Sequence, residues 1–475
     1  MPRQTKVIAT MGPAVASPEK VRALIDAGMD VARLNFSHGG HDLHRRFYEW
    51  IRAAAAESGR TVAIMQDIQG PKLRIGEFPG GGIELQPDSE VDLMPDSGTG
   101  DAGRIPIGYG ALLTDVNPGD RVILADGLVS CEVVGRSDSS LRARVINGGS
   151  LTDHKGVAFP DSNLSVGNIT SKDETDLAFG RDLGVDFVAA SFVRSGSDVE
   201  AVAALAGDVA IIAKIELAQA IDNLDEILKV SFGVMVARGD LGVQLPLERL
   251  PLIQSDIIKR ANVNGKVAVT ATEMLESMTH NPRPTRAEVT DVAHAVEGGT
   301  DAVMLSGETA VGEYPVQTVR AMARICETIE EGTLPHEVPV PFVTGHNDVA
   351  SAVAQAATEI AKNVGARTIV AFTESGSTAR LISKYRPHQR VVAFTPNTNT
   401  RRKMALFWGV QPHAFERHEY TDDEMNAAAE ILVNEGLAVP GELVVMVAGV
   451  PPNVQASTNV VKVHQIGAEP GALGG

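Results

Sequence analysis

The sequence predicts an α/β protein: a (β/α)8 barrel with a β-barrel lid domain inserted after its third strand, followed by an open α/β domain. Three observations predict this arrangement. Short apolar runs alternate with helical segments along most of the chain. Between residues 70 and 168 the sequence pattern changes to that of short strands with alternating apolar and polar residues, and a second α/β pattern follows a Pro-rich stretch near residue 340. We therefore expect the barrel at 1–69 and 169–340, the lid at 70–168, and the C-terminal domain at 341–475.

Eight apolar runs supply the predicted barrel strands. They are near-continuously apolar, as is typical of parallel strands buried on both faces. The segments between them, such as 18–28 and 285–298, have helical periodicity and end in Gly, and Thr285 with Glu288 matches a capping box. The runs are KVIATMG from residue 6, DVARLNF from 30, TVAIMQD from 61, DFVAASFV from 186, VAIIAKIE from 209, GVMVARGD from 233, KVAVTATEM from 266 and DAVMLSGET from 301.

Composition and charge exclude several classes of protein. The formal net charge of −18 argues against a general nucleic-acid binder, because phosphate backbones favour a basic face. No run is long enough to span a membrane, and MPRQTKVIAT lacks the apolar segment of a signal peptide, so we expect a cytoplasmic protein. Cys131 and Cys326 are far apart and form no CxxC motif, which predicts buried free thiols.

Polar side chains lie at the C-terminal ends of the predicted strands, where barrel enzymes gather their active sites. A single Asp or Lys at a strand end is usually a cap or an ion pair. Such a density of polar groups, at seven of the eight strands, instead indicates an active site. These residues are Arg33, Asn35 and Ser37; Asp67; Ser191; Lys214 and Glu216; Arg238, Gly239 and Asp240; Thr272; and Ser306 and Glu308.

Glu216 and Asp240 close two successive strands, and two carboxylates at adjacent positions suit Mg²⁺ or Mn²⁺. Lys214 lies two residues before Glu216, so both side chains point to the same side of the strand. A cation beside a metal ion is favourable when an anion lies between them, which predicts a phosphoryl or carboxylate group near Lys214 and Arg33. A simple ion pair between Lys214 and Glu216 is the alternative.

Six sequence blocks, which occur in order and cover the whole predicted barrel, resemble the pyruvate kinase family. The inserted lid and the C-terminal domain match the domain arrangement of that family. Neither a P-loop motif nor a strand-linked GxGxxG motif is present. The blocks are VARLNFSHG (31–39), KIE (214–216), MVARGDLG (235–242), TATEMLESM (270–278), NPRPTRAEVTDVAHAV (281–296) and DAVMLSGETA (301–310).

The resemblance implies transfer of the phosphoryl group of phosphoenolpyruvate to ADP, giving pyruvate and ATP in the last step of glycolysis, by a homotetramer. It assigns the phosphoryl group to Arg33 and Lys214, and Mg²⁺ to Glu216 and Asp240. The substrate carboxylate would be seated by the backbone of Ala237, Arg238, Gly239 and Asp240 together with Thr272, which is also near the point where the enolate is protonated. The residues implied to contact the nucleotide are Asn35, His38, Arg74 and, on lid closure, Lys155.

The monovalent-cation position of the family is altered in this sequence. Potassium-dependent members have an Asn, a Ser, an Asp and the carbonyl of a following Thr there, with Glu in a Gly-Pro-Glu turn. Asn35, Ser37 and Asp67 are present, but Ile68 replaces the Thr and Lys72 replaces the Glu. We expect the Lys72 ammonium to substitute for K⁺, so that K⁺ is not required.

The segment TESGST at 373–378 resembles the family loop that binds the phosphate of an allosteric effector. Glu374 stands where members that respond to fructose 1,6-bisphosphate often carry Lys, so like-charge repulsion opposes activation by that sugar. A monophosphate, a nucleotide or no effector is left open. The loop residues implied to bind phosphate are Thr373, Ser375, Gly376, Ser377 and Thr378.

Two other functions are compatible with parts of the pattern. A Mg²⁺-dependent aldolase or lyase acting on pyruvate enolate would use the Glu216 and Asp240 pair equally well, but it would not need Lys214, Lys155 or a lid. A catalytically inactive, effector-binding homologue would not need to retain Arg33.

Overall fold

The computed structural model describes residues 3–332, 348–450 and 458–467. The predicted boundary at 340/341 lies outside the described residues. The chain begins with β1 (Lys6–Met11), a 3-10 turn (Pro13–Val15), α1 (Pro18–Ala27), β2 (Val31–Asn35), α2 (His41–Ser58) and β3 (Ala63–Asp67).

The chain then leaves the barrel for an inserted domain made mainly of β-strands. Six strands form one mixed sheet in the order β11-β7-β8-β9-β5-β6, and β4 pairs with β10; we expected a barrel, and the described strands form these two sheets. A separate apolar core that includes Leu93, Val122 and Val133 lies within it. Its elements are β4 (Gly82–Leu85), β5 (Glu90–Met94), β6 (Arg104–Pro106), α3 (Leu112–Asp115), β7 (Arg121–Leu124), β8 (Val129–Arg136), β9 (Leu141–Asn147), β10 (Gly149–Thr152) and β11 (Val157–Ala158), with 3-10 turns at Pro79–Gly81 and Ala125–Gly127.

The barrel then resumes and is completed. Thr285 caps α10 with the predicted capping box to Glu288. The elements of this part are α4 (Ser171–Leu183), β12 (Phe187–Ala190), α5 (Gly196–Ala206), β13 (Ala210–Ile215), α6 (Ala218–Asp222), α7 (Leu224–Val230), β14 (Gly233–Ala237), α8 (Arg238–Gln244), α9 (Leu250–Val263), β15 (Val267–Ala271), α10 (Arg286–Glu297), β16 (Ala302–Leu305), α11 (Gly307–Ala310) and α12 (Pro315–Gly332), with 3-10 turns at Leu247–Arg249 and Glu276–Thr279.

The eight predicted strands close into a parallel barrel in the order β1-β16-β15-β14-β13-β12-β3-β2, which confirms the predicted fold class. Alternate residues of one strand face opposite sides: Val7 and Ala9 pack with the surrounding helices, whereas Ile8 belongs to the interior cluster. Both faces are thus buried, which explains why the strands are continuously apolar. All eight C-terminal strand ends open on the same mouth.

The C-terminal domain is an open five-stranded α/β sheet in the order β19-β18-β17-β20-β21, parallel except for the antiparallel β21. This also agrees with the predicted fold class. Its elements are α13 (Asp348–Asn363), β17 (Thr368–Phe372), α14 (Ser377–Lys384), β18 (Arg390–Thr395), α15 (Thr398–Met404), β19 (Val410–Ala414), α16 (Thr421–Asn434), β20 (Leu443–Gly449) and β21 (Thr458–Gln465).

This domain packs against the N-terminal end of the barrel, opposite the mouth. The rings of Phe232, which precedes β14, and Phe407 stack with centroids 5.8 Å apart. Asp301, which precedes β16, is buried and accepts hydrogen bonds from the Lys384 ammonium at 2.5 Å and the amide of Ala268 at 2.7 Å. Arg386 lies 3.0 Å from the other Asp301 oxygen, so a buried ionic cluster joins the two domains.

The two connections of the inserted domain meet at one carboxylate. Asp173 accepts a hydrogen bond from the amide of Gly70 at 3.0 Å through one oxygen, and from the amide and hydroxyl of Thr170 at 2.9 and 2.6 Å through the other. Gly70 has a φ of +66°, and a Cβ there would lie 3.0 Å from the Cβ of Ser191, so the turn requires glycine. The exit and the return of the chain are therefore fastened together at the rim of the mouth.

Cys131 and Cys326 are both free and buried, which confirms the predicted thiols. No helix among the described residues is both long enough and apolar enough to cross a membrane.

Candidate active site

The Lys214 ammonium lies among buried polar groups at the mouth of the barrel. Its Nζ is 2.9 Å from Oε1 of Glu216, 3.2 Å from Oδ1 of Asp67 and 2.8 Å from the Ser191 hydroxyl. Burial by itself lowers the pKa of Lys214, but the charges of Asp67 and Glu216 outweigh this effect and leave the pKa raised. The ion pair between Lys214 and Glu216, which the sequence left open as the alternative interpretation, is thus present, within a network that also includes Asp67.

Arg33 contacts the oxygen of Asp67 that does not face Lys214. Its Nε donates to Oδ2 of Asp67 at 2.6 Å, and its NH1 donates to the hydroxyl of Thr10 at 3.0 Å. Burial by itself raises the pKa of Asp67, but Arg33 and Lys214 reverse this and hold it below the usual value. Asp67 therefore stays ionised and fixes two cations at the mouth.

Glu216 has an oxygen that no hydrogen bond satisfies. Oε2 accepts from the amide of Phe192 at 2.8 Å. Oε1 is buried and, although Lys214 lies 2.9 Å away, the geometry is not that of a hydrogen bond. Burial raises the pKa of Glu216; Lys214 opposes this, and the nearby charge of Asp240 adds to it.

Asp240 lies in the first turn of α8, on the next strand-to-helix connection, and about a third of its side chain is exposed. Glu216 and Asp240 thus form a pair of carboxylates, one buried and one facing the cleft. Among the described residues, no group of three or more His, Cys, Asp or Glu side chains is placed to hold a metal ion. Two carboxylates fit Mg²⁺, which takes few protein ligands and keeps positions for other oxygens.

Thr272 is held in an uncommon conformation beside Gly239. Its φ is +64°, which is costly for a β-branched residue. The Thr272 hydroxyl accepts from the amide of Gly239 at 2.8 Å and donates to the carbonyl of Ala271 at 2.7 Å. Its proton and one lone pair are therefore engaged, and the second lone pair is free to accept a hydrogen bond.

The side chain of Arg238 stabilises the turn at Thr272. Its guanidinium donates to the carbonyl of Thr272 at 2.6 Å and to both oxygens of Asp291 at 2.7 and 2.6 Å. Asp291 lies on α10, within the block NPRPTRAEVTDVAHAV, but the sequence assigned it no role. The side chain of Arg238 is thus engaged in holding the strand end.

Comparison with known proteins decides the family. The family described as "Pyruvate kinase, barrel domain" matches residues 2–319, and "Pyruvate kinase, alpha/beta domain" matches residues 351–464. The chain belongs to the pyruvate kinase family. It is accordingly a phosphotransferase, and membership of this family favours that activity over the aldolase or lyase.

Relatives within the pyruvate kinase family cover nearly the whole chain. The chain is 44% identical to the pyruvate kinase of Geobacillus stearothermophilus over 98% of its length and 81% of the relative, and 43% identical to that of Sporosarcina psychrophila with the same coverage. The crystal structure of a pyruvate kinase from Cryptosporidium parvum superposes with a TM-score of 0.91 at 37% identity, covering 98% of this chain and 96% of that one.

The family residues assigned to a nucleotide lie partly on the barrel, where Asn35 ends β2 and His38 follows it, and partly in the inserted domain, which contains Arg74 and Lys155. His38 and Lys155 are exposed. Arg74 donates to the carbonyl of His154 at 2.9 Å and its backbone forms a bridge to Gly156, so Arg74 lies beside the segment between β10 and β11 that contains Lys155. Asn35 accepts from the amide of Ser37 at 3.1 Å. Their roles toward a nucleotide stay predictions.

The monovalent-cation position of the pyruvate kinase family is crowded by protein groups. Asp67 already has Arg33 and Lys214 as partners, and the carbonyl of Ile68 accepts from the Ser191 hydroxyl at 2.6 Å. Ser191 was named at a strand end without a role, and sequence alone gave no signal for this contact. Lys72 lies elsewhere: its Nζ is 3.2 Å from Oδ1 of Asp240 and 4.0 Å from Oδ1 of Asp126.

The segment that resembles the family effector site consists of the turn before α14 and the first two residues of that helix, Ser377 and Thr378. Thr373 accepts from the amide of Gly376 at 2.9 Å, and the hydroxyls of Ser375 and Ser377 lie 3.1 Å apart. Thr378 is buried and pairs with the hydroxyl of Thr458 at 2.7 Å.

Glu374 in this loop is held by Arg417, whose NH2 donates to it at 2.9 Å and whose Nε donates at 3.1 Å. Glu424 lies close enough that burial, together with the Glu374 charge, raises its pKa to about 7. The acidic character that the sequence indicated for this loop is therefore reinforced by a second carboxyl group.

Proposed function

We propose that this protein transfers the phosphoryl group of phosphoenolpyruvate to ADP, giving pyruvate and ATP, and that it requires Mg²⁺, replaceable by Mn²⁺, but not K⁺. The observation that carries the proposal is the buried Lys214 ammonium, 3.2 Å from Asp67 and 2.9 Å from Glu216, with Arg33 on the opposite oxygen of Asp67. Two fixed cations at a barrel mouth suit the negative charge of a phosphoryl group in transfer.

The cations are held in place before substrate arrives. Asp67 and Glu216 keep Lys214 charged, and Asp67 and Thr10 orient Arg33. A phosphoryl group bound beside them would share these cations with the carboxylates, with little reorganisation of the protein. Preorganised charge of this kind is typically the largest contribution to catalysis of such a step.

Glu216 and Asp240 are the residues we propose to hold Mg²⁺. The unsatisfied Oε1 of Glu216 and the cleft-facing carboxylate of Asp240 fit a hard cation with oxygen ligands. Bound there, the ion would neutralise charge on substrate oxygens.

We propose that Thr272 orients the water that protonates the enolate. Its hydroxyl proton is engaged by the carbonyl of Ala271, and one lone pair is engaged by the amide of Gly239, so the remaining lone pair is available to a water molecule. The backbone of residues 237–240 would seat the substrate carboxylate. Closure of the lid would bring Lys155 to the nucleotide and exclude bulk water, which otherwise would hydrolyse phosphoenolpyruvate.

A coupled assay tests the proposal. Phosphoenolpyruvate, ADP and Mg²⁺ are supplied to the wild type and to Lys214→Ala, and pyruvate is followed through its reduction by lactate dehydrogenase. We expect pyruvate formation that depends on ADP, with strong loss in the variant. No pyruvate from the wild type would overturn the proposal, and pyruvate formed without ADP would identify a different reaction.

The wider setting follows from the same family membership. We propose that the protein is a homotetramer that catalyses the last step of glycolysis in the cytoplasm. A phosphorylated effector at residues 373–378 is part of this proposal. Size-exclusion chromatography with light scattering tests the assembly; a monomer at micromolar concentration would contradict it.

A further inference from the structure

Lys72 contacts a proposed metal ligand. It lies in the Gly-Pro-Lys turn where the chain enters the lid, and its Nζ is 3.2 Å from Oδ1 of Asp240 in the barrel. The two side chains are 31% and 34% exposed, so the pair faces the cleft and is accessible to solvent ions. The sequence analysis placed the Lys72 ammonium at the monovalent-cation position around Asp67 instead.

The charges at the mouth explain why Lys72 lies on Asp240. Asp67 is 1% exposed and already has Arg33 and Lys214 within 3.2 Å, so a third cation there would be repelled. Among the residues that the structure describes, Asp240 has no ion-pair partner other than Lys72, and its charge also acts on Glu216. An unpaired carboxylate beside another carboxylate favours a nearby cation, and Lys72 supplies one.

The position of Lys72 is fixed from the lid side as well. A Cβ on Gly156 would lie 3.4 Å from Cε of Lys72, so the lysine stem packs on this lid residue. Asp126, in a 3-10 turn of the lid, lies 4.0 Å from Nζ. Lys72 therefore reaches Asp240 across the cleft between lid and barrel, and it has a second carboxylate close by.

We propose that Lys72 is an internal counter-ion of Asp240, which it leaves when that carboxylate binds a divalent cation, and that it thereby sets the metal affinity of the free protein. The inference rests on the proposed metal site at Glu216 and Asp240. An ion pair that is about one-third exposed and open to solvent contributes little, so it is readily exchanged for a divalent ion. After the exchange, Lys72 keeps Asp126 as a partner on the lid.

The test is binding of Mn²⁺ alone to the full chain, without substrates, followed by the electron paramagnetic resonance signal of free Mn²⁺. Lys72→Met keeps the apolar stem and removes the charge. We expect its Kd for Mn²⁺ to be about twofold to fivefold lower than that of the wild type, which corresponds to the loss of one exposed ion pair. An unchanged or higher Kd would overturn the inference.

Two control variants distinguish the effect of the contact between Lys72 and Asp240 on Mn²⁺ affinity from the effect of net charge. Lys72→Arg keeps a cation in the same place, and we expect a Kd close to that of the wild type. Arg74→Met removes a cation two residues away, which contacts His154 and not Asp240, and we expect little change. An increase in Mn²⁺ affinity in either control variant as large as that of Lys72→Met would overturn the inference.

A second measurement uses the wild type alone and so does not depend on folding of a variant. The protein is treated with N-hydroxysuccinimidyl acetate with and without Mn²⁺, and acetylation is quantified by peptide mass spectrometry. We expect Mn²⁺ to increase the labelling of Lys72 relative to the exposed Lys229, and an unchanged ratio contradicts the inference. If the wild type binds no Mn²⁺, the proposed metal site fails and this inference fails with it; if it binds Mn²⁺ and Lys72→Met does not differ, only the inference fails.

Discussion

The Lys214 ammonium lies 2.9 Å from Oε1 of Glu216, and the two side chains are 12% and 1% exposed. A buried pair of this kind is costly to break, because the remaining partner is left as an uncompensated charge. Asp67 lies on the other side of Lys214, so removal of the ammonium would expose two carboxylates to each other.

Replacing Lys214 by Met is expected to lower kcat/KM for phosphoenolpyruvate by about a thousandfold, because a preorganised cation is lost. The free energy of unfolding should also fall, by roughly 3–5 kcal/mol. The matched control is Lys266→Met, which removes a partly buried lysine at the opposite end of the barrel. Activity of Lys214→Met near that of the control would show that the ammonium is structural.

The hydroxyl of Thr272 is predicted to act in protonation of the enolate. Thr272→Ala should lower the exchange of pyruvate methyl protons with solvent by about 10- to 100-fold, while Thr272→Ser, which keeps the hydroxyl, should stay within a few-fold of the wild type. Proton exchange is measured by NMR in D₂O with Mg²⁺ and ATP. Equal loss in both variants would assign the effect to the methyl group or the backbone.

Activity is predicted not to require K⁺. The charge at Asp67 is already compensated by Arg33 and Lys214, and Lys72 adds a further cation to the cleft. Initial rates at saturating substrates and Mg²⁺ should be equal in potassium and tetramethylammonium chloride of the same ionic strength. A rate that rises severalfold with K⁺ would contradict this prediction.

Fructose 1,6-bisphosphate is predicted to leave the phosphoenolpyruvate saturation curve unchanged. Glu374 places negative charge at the loop, Glu424, whose pKa burial and Glu374 raise to about 7, adds a partial negative charge, and Arg417 is engaged by Glu374. The same titration with glucose 6-phosphate and AMP shows whether another phosphate is accepted. If none shifts the curve, the segment 373–378 serves only as a turn; activation by the bisphosphate would show that Glu374 does not repel it.

The buried pair between the domains predicts a pH dependence of stability. Burial lowers the pKa of Lys384 to about 8, against the opposing charge of Asp301. Between pH 8 and 10.5 the unfolded chain holds a proton that the folded chain has lost, so stability rises with pH in this window. The free energy of unfolding of the wild type should therefore gain on the order of 2 kcal/mol over Lys384→Met between pH 7.5 and 9.5.

Urea unfolding at the two pH values measures that gain. Lys6 and Lys266, whose pKa values burial also lowers to about 8, are present in both proteins and cancel in the difference. An equal difference at both pH values would show that Lys384 keeps its proton throughout.

The barrel could be predicted from sequence because its signals are local. The run KVIATMG is apolar at most of the positions that β1 buries, Lys6 and Thr10 being the polar exceptions, and its alternate apolar residues face the interior and the helices. The convergence of Asp67, Lys214 and Glu216 was also predictable, since parallel strands of a closed barrel end at one mouth.

Contacts of long side chains could not be predicted in this way. Lys72 was assigned to the position around Asp67, but its contact is with Asp240, 168 residues along the chain. Four rotatable bonds let an ammonium choose among several carboxylates, and the choice depends on which of them already has a partner. This choice depends on the whole arrangement of charges at the mouth of the barrel, and it produces no local pattern in the sequence.

The carboxylate of Asp173, which fastens both connections of the inserted domain, has a consequence for chain topology. For the barrel, the inserted domain is a long loop whose two ends are held together by the hydrogen bonds of Asp173. The entropy lost in closing such a loop increases only slowly with its length. The stability of the barrel therefore depends only weakly on the length of the inserted segment, and this position can accept a shorter, longer or unrelated insert.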